Sequence, residues 1–292
     1  MKYQKKNFEK MSYNFREESA ILGDTIQLQG TAEIPAKLKW SNSANILCNY
    51  MKELEYLEII LKNKAIIPRY VIEPLDYLKI EGLHKIAFPM TCFCDIPLSK
   101  VGSHMSRYGR YGLALDKQAI ISKFKVQPIH YINPESPLAG DFKSAFSDYY
   151  NAGKKVHEED KILLNYLMSA MMYMKPISGI EKVAGEERPY IFQDECEWRY
   201  IPTEDFPNNL KLMLSGNMAT ENAKNYYSKA LQSHKETWIK FDWGDIRYII
   251  VPDEMALKRI IESIKELPLG DTQKYFLISR IEVSMRFAED LI

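Results

Sequence analysis

Leu47, Tyr50, Leu54, Leu57 and Leu61 recur at helical spacing behind Ser43, a candidate N-cap, so the pattern predicts a helix from about Ala44 to Lys62. Ile66-Ile67-Pro68 would end it, because proline lacks the amide that a further turn needs. From Ile86 to Ile96 the chain is β-prone and apolar at consecutive positions, the pattern of an interior strand buried on both faces. Ser103 to Gly112 is polar, aromatic and glycine-bearing and reads as a connection, with Leu113-Ala114-Leu115 and Ile129-His130-Tyr131-Ile132 as two further strands. A long helix is expected around His157 to Met174. Its apolar stretch between Lys161 and Lys175 is 13 residues long, short of the roughly 20 that cross a bilayer, and reads as a buried helix.

In the second half, Gly185-Glu186-Glu187-Arg188 reads as a polar turn before Tyr190-Ile191-Phe192, and a helical stretch runs from about Ala219 to Lys235. Ile246 to Val251 is a strand. Pro252-Asp253 then opens a helix through Leu267, with Leu257, Ile260, Ile261 and Ile264 on one face. Tyr275 to Val283 reads as a last strand. Strands and helices mix without regular βαβ alternation, which predicts a single α+β domain over 41–292, with a mixed, mainly antiparallel sheet flanked by helices. Residues 1–40 are polar and weakly periodic and read as a weakly ordered N-terminal arm.

Composition narrows this little. The chain has 292 residues, 46% of them hydrophobic, and 39 basic side chains match 39 acidic ones. A chain of this length buries enough surface to fold without a metal or a disulfide. The neutral balance does not imply nucleic acid as a partner. Cys48, Cys92, Cys94 and Cys196 are too few and too scattered for a disulfide framework and read as reduced core cysteines. With no apolar run at the N-terminus to suggest a secretory signal, the expected compartment is the cytoplasm. Phosphate-loop, dinucleotide and nucleophile-elbow motifs are missing, and the five histidines never take metal-pair spacing, so no metal is expected.

Two segments carry candidate chemistry. In Asp194-Glu195-Cys196-Glu197-Trp198-Arg199-Tyr200, strand alternation puts Cys196, Trp198 and Tyr200 on an apolar face and Glu195, Glu197 and Arg199 on the other. Two carboxylates at i and i+2 repel unless something compensates, and such a pair can hold a ribose hydroxyl or face a developing cation. The plain alternative is a solvated face with Arg199 paired to Glu197. The second segment runs from His104 to Gly112. Arg107 and Arg110 suit phosphate or carboxylate, Tyr108 and Tyr111 offer stacking faces, and glycines admit close backbone approach, so the segment suits a nucleotide-like ligand. Its alternative is a turn with packed tyrosines.

These segments, taken in order with Met90-Thr91-Cys92-Phe93-Cys94-Asp95-Ile96-Pro97-Leu98-Ser99 and Gln127-Pro128-Ile129-His130-Tyr131, resemble the AbiGi family over about Leu54 to Val251. The resemblance implies the antitoxin component of a two-gene bacterial abortive phage-resistance system. Such a protein would act by binding a partner toxin encoded nearby or a nucleotide signal. It supplies no established catalytic residues. More distantly, Glu195-Cys196-Glu197 resembles the E-x-E strand of ADP-ribosyltransferases. That resemblance implies NAD as a cofactor, Glu197 as the catalytic carboxylate and Glu195 as an orienting group. It also implies ligand contacts from His104, Arg107, Tyr108, Tyr111 and Arg199. The S-T-S segment of those enzymes has no counterpart here.

Overall fold

The computed structural model describes residues 43–151, 158–183, 186–204 and 206–289. The expected arm over 1–40 lies outside the described residues, as do His157 and Gly185. The first half contains β1 (Ile46–Met51), α1 (Leu54–Asn63), β2 (Ala65–Ile66), β3 (Arg69–Pro74), β4 (Lys85–Cys94), α2 (Gly102–Tyr108), β5 (Tyr111–Asp116), α3 (Lys117–Phe124), β6 (Gln127–Pro128) and β7 (His130–Ile132). There follow α4 (Pro137–Asn151), α5 (Glu158–Met172), β8 (Met174–Pro176), the hairpin of β9 (Ser178–Val183) and β10 (Glu186–Ile191), and β11 (Glu197–Tyr200). The chain continues with β12 (Leu214–Ser215), α6 (Glu221–Leu231), β13 (Ile239–Lys240), β14 (Ile246–Val251), α7 (Glu254–Lys265), α8 (Asp271–Ile278), β15 (Ile281–Val283) and α9 (Ser284–Glu289).

Nine strands form the main sheet in the order β15-β14-β5-β1-β4-β11-β6, with β3 and β12 also paired to β4. Only β14 and β15 run parallel in it, joined by α7 and α8. The fold is α+β with a mixed, mainly antiparallel sheet, as the pattern predicts. β4 changes partners midway: its first half pairs with β3 and β12, and its second half with β11 and, at Cys94, β1. Pro89, which cannot donate to a ladder, stands just before that change.

Alternation along the strands sorts the core onto two faces. Leu47, Phe93, Leu113, Leu115, Ile249 and Val251 point one way, into a cluster closed by α1, α3, α7 and α8. Cys48, Cys94, Ala114 and Ile250 point the other way, under Val101 and Met105 of the α2 region. A third cluster packs α4 and α5 on Ile86, Phe88 and Met90 of β4. Asp253 caps α7 as expected, its carboxylate accepting from the Ala256 amide at 2.9 Å.

Several expectations need correction. The predicted helix from Ala44 is a strand up to Met51, and only Leu54–Asn63 is helical. Leu47 and Cys48 are both buried because β1 is inserted between β4 and β5, and a short apolar run does not reveal its period. Ser103 to Gly112 is mostly the helix α2 rather than a connection. The polar turn expected at Glu186-Glu187-Arg188 begins strand β10. Tyr275 lies in α8, and only Ile281–Val283 is strand. Finally, α5 is not wholly buried. Leu167, Met171 and Met172 are in the core, while Ile162 is 79% and Tyr166 66% exposed. Among the described residues no helix is long and apolar enough to cross a membrane.

Candidate functional site

On β11, Glu197 and Arg199 are two residues apart, so the extended backbone sends both side chains to one face. Glu195 is not on that strand. It ends a 3₁₀ turn over Phe192–Glu195, and Cys196, left-handed at φ 44°, joins turn to strand. This corrects the expectation of one continuous strand from Asp194. Cys196 is exposed instead of packing in the core, whereas Trp198 and Tyr200 rest half-buried against the first cluster. The charged side is the deeper one: Glu195 is 3%, Glu197 7% and Arg199 0% exposed. The solvated strand face is therefore excluded.

Burial on that scale requires compensation, and neighbouring elements supply it. Lys175 of β8 donates to Glu195 Oε2 at 2.5 Å and to Glu197 Oε2 at 3.0 Å. Arg199 donates through Nε to Glu197 Oε1 at 2.7 Å, through Nη1 to the Met172 carbonyl at 2.7 Å and through Nη2 to Glu73 of β3 at 2.8 Å. The Glu197 amide donates to the Tyr131 hydroxyl at 2.8 Å. The partners come from three other strands and from the end of α5, so the network ties β3, β7, β8 and α5 to β11.

The helix α2 closes the site from above. His104, Arg107 and Tyr108 lie at i, i+3 and i+4 on one helix face. The Tyr108 hydroxyl donates to Glu195 Oε1 in a short hydrogen bond. Arg107 pairs with Glu181 of β9 and lies 3.8 Å from Glu195 Oε1. Its guanidinium sits 3.7 Å from the ring centre of Tyr190 on β10, a cation–π contact that clamps the hairpin to α2. The His104 ring packs at a tilt against Tyr108, with ring centres 4.5 Å apart, and against Tyr50 at 5.6 Å. Tyr50 reaches it across Gly112, where a Cβ would meet the tyrosine ring at 2.8 Å.

The electrostatics follow from this packing. Burial by itself would raise the Glu197 carboxyl, but the Arg199 and Lys175 charges and hydrogen bonds outweigh it and hold the group well below the carboxylate range. For Lys175, burial opposes the charge while Glu197, Glu73 and Glu195 more than restore it, so its pKa is raised. Burial is the main cause that lowers His104 to about 4 and raises Tyr190 to about 12. The result is a fixed array of ionised groups beneath a neutral imidazole.

Of the residues singled out from sequence, Glu195, Glu197, Arg199, His104, Arg107 and Tyr108 meet here. Tyr111 does not. As the first residue of β5 it points with Leu113 and Leu115 to the opposite face and packs against the first cluster. Lys175, Glu73, Tyr131, Glu181 and Tyr190 went unrecognised. Lys175 had one signal, since two carboxylates beside a single arginine demand a further cation. Among the described residues no group of three His, Cys, Asp or Glu side chains could hold a metal ion.

Residues 64–252 match the family described as "Putative abortive phage resistance protein AbiGi, antitoxin". The abortive phage resistance protein AbiGi of Lactococcus lactis subsp. cremoris is 32% identical over 250 residues, 77% of this chain and 99% of its own length. No solved structure matches significantly. The network from Glu73 to Arg199 lies wholly within the matched span.

Proposed function

The chain belongs to the AbiGi family, and from that premise we propose that it serves abortive phage resistance as an antitoxin, neutralising a partner toxin by binding it. Supporting a binding role over catalysis is the commitment of the E-x-E carboxylates. Glu195 and Glu197 are buried, and each is held by Lys175. A carboxylate that stabilises an oxocarbenium-like transition state must face the reacting sugar, with its charge available to it. Here the charge is taken up by Lys175 and Arg199, and α2 and the β9–β10 hairpin cover it. In this reading the network is a scaffold that holds α2 and the hairpin in one arrangement on the sheet.

The direct test is co-expression with the toxin candidate encoded beside this gene, followed by co-purification and growth measurement. Relief of growth arrest together with a stable complex is the expected result. Normal arrest, with no complex, would sink the antitoxin reading. A parallel assay for nicotinamide release from NAD by the purified chain decides the competing proposal, in which Glu197 is catalytic, Glu195 orients substrate and His104, Arg107, Tyr108, Tyr111 and Arg199 contact the cofactor. Turnover that disappears in Glu197→Gln, with the fold retained, would favour that enzyme. No turnover is expected.

A further inference from the structure

Beyond the buried network, one end of the main sheet carries an open depression of about 350 Å³. It lies where β1 and β14 finish and β5 begins, between the end of α2 and the start of α7. Lys52, Arg107, Arg110 and Tyr111 line it, with Asp253 as the one carboxylate. Arg107 is already paired with Glu181, and Asp253 caps α7. Lys52 and Arg110 are different. Both are exposed, and neither has an ion-pair or hydrogen-bond partner among the described residues. Other surface arginines are paired: Arg259 is held by Glu55 and Glu58, and Arg286 by Glu254.

The backbone brings these cations together. Gly109 has φ 126°, and a Cβ there would lie 2.0 Å from the Met51 carbonyl oxygen. The α2–β5 connection is thus pressed onto the end of β1, which sets Arg110 beside Lys52. Two uncompensated cations flanking a concavity attract an anion, and a guanidinium next to an ammonium suits phosphate. Tyr111 packs against the first cluster but is only half-buried and also lines the wall, where an aromatic side chain suits contact with a base. The volume falls at the small end of the ~300–1,000 Å³ that ligand sites occupy, which favours one nucleotide over a dinucleotide.

We infer that this depression binds a mononucleotide, with Lys52 and Arg110 on its phosphate and Tyr111 against its base. The depression shares Arg107 with the Glu195–Glu197 network, but the proposed phosphate contacts, Lys52 and Arg110, lie outside that network, and the inference does not depend on the antitoxin reading. Titration calorimetry of the full chain with AMP, ATP, sodium pyrophosphate and adenosine tests it, beside the double variant K52E/R110E. Saturable binding of AMP or ATP, absent for adenosine, is expected. The double variant should weaken it by about tenfold for each cation removed, the loss typical of a charge-assisted hydrogen bond. Because both side chains are exposed and have no partner among the described residues, the variant should melt with the parent. Lys52→Ala and Arg110→Ala singly provide a milder check should the reversal disturb folding. No saturable nucleotide binding, or binding that survives the charge reversal, would overturn the inference. So would pyrophosphate binding as tightly as ATP, which leaves no role for the base, or a single-stranded oligonucleotide binding more tightly than either nucleotide. Toxin neutralisation retained in K52E/R110E would show that the two functions fail independently.

Discussion

Lys175→Met removes the cation shared by Glu195 and Glu197 while keeping most of the side-chain volume. The lysine donates to both carboxylates, at 2.5 Å and 3.0 Å, and little of its side chain reaches solvent. Breaking a buried ion pair from one side costs about 3–5 kcal/mol, because the partner is left charged and unpaired. Arg199 continues to hold Glu197, so most of the penalty falls on Glu195, left with the Tyr108 hydroxyl and Arg107 at 3.8 Å. For a domain of this size each kcal/mol moves the melting temperature by roughly 2–4 °C, so a fall of about 6–20 °C is expected at neutral pH. The loss should also shrink on acidification. In the variant a carboxylate can relieve itself by taking up a proton, and the folded state then binds more protons than the parent's folded state does. Thermal melts and urea midpoints from pH 7 down to about 5 would show both effects. A second variant, Lys175→Met with Glu195→Gln, removes the stranded charge and should recover much of the loss. If Lys175→Met changes stability by no more than the ~0.5 kcal/mol of an ordinary surface substitution, the buried-network account is wrong.

Three other outcomes follow from the same geometry. Gly109→Ala should destabilise by more than about 3 kcal/mol, since a strained positive φ alone costs about 1–3 kcal/mol and the new Cβ collides with the Met51 carbonyl; a melting temperature near the parent's would refute the close approach. His104, lowered to about 4, stays neutral when folded while the unfolded imidazole protonates nearer 6.5, so stability should fall as pH drops from about 6.5 towards 4. An NMR titration that places its folded pKa near 6.5 would contradict the burial that causes this. Asp253→Ala removes the α7 N-cap and should cost about 0.5–2 kcal/mol, read as a urea midpoint shift with unchanged slope.

The fold class and the elements with a long or self-contained signal were legible from residues alone. β4 reads as a strand buried on both faces because it is one, with β3, β12, β1 and β11 as its partners. The helix α7 shows its period over Leu257, Ile260, Ile261 and Ile264, behind an aspartate that does cap it. Where local and tertiary demands conflict, the pattern misleads. Leu47 and Tyr50 continue the spacing of Leu54 and Leu57, yet their segment lies in the centre of the sheet. The reason is that a buried strand and a buried helix present the same run of apolar residues over so few positions.

The candidate site divides along similar lines. Glu195, Glu197 and Arg199 stand out because three charges interrupt a β-prone segment, and a two-residue spacing already places Glu197 and Arg199 on one face. His104, Arg107 and Tyr108 stand out by residue type. Whether those groups meet is a question about contacts some ninety positions apart, which α2 settles by bringing Tyr108 and Arg107 to Glu195. Burial is likewise not written in the segment. The same Glu-Cys-Glu-Trp-Arg could face water, and it is interior here because Lys175, Glu73 and the Met172 carbonyl arrive from elsewhere in the chain. Sequence therefore determined which residues carry charge, which of the long, self-contained stretches are strand or helix, and the family they belong to. The tertiary structure alone decided which charges neutralise one another and that Lys52 and Arg110 have no partner among the described residues, because Coulomb energies depend on distance and local water, and neither exists until the chain has packed.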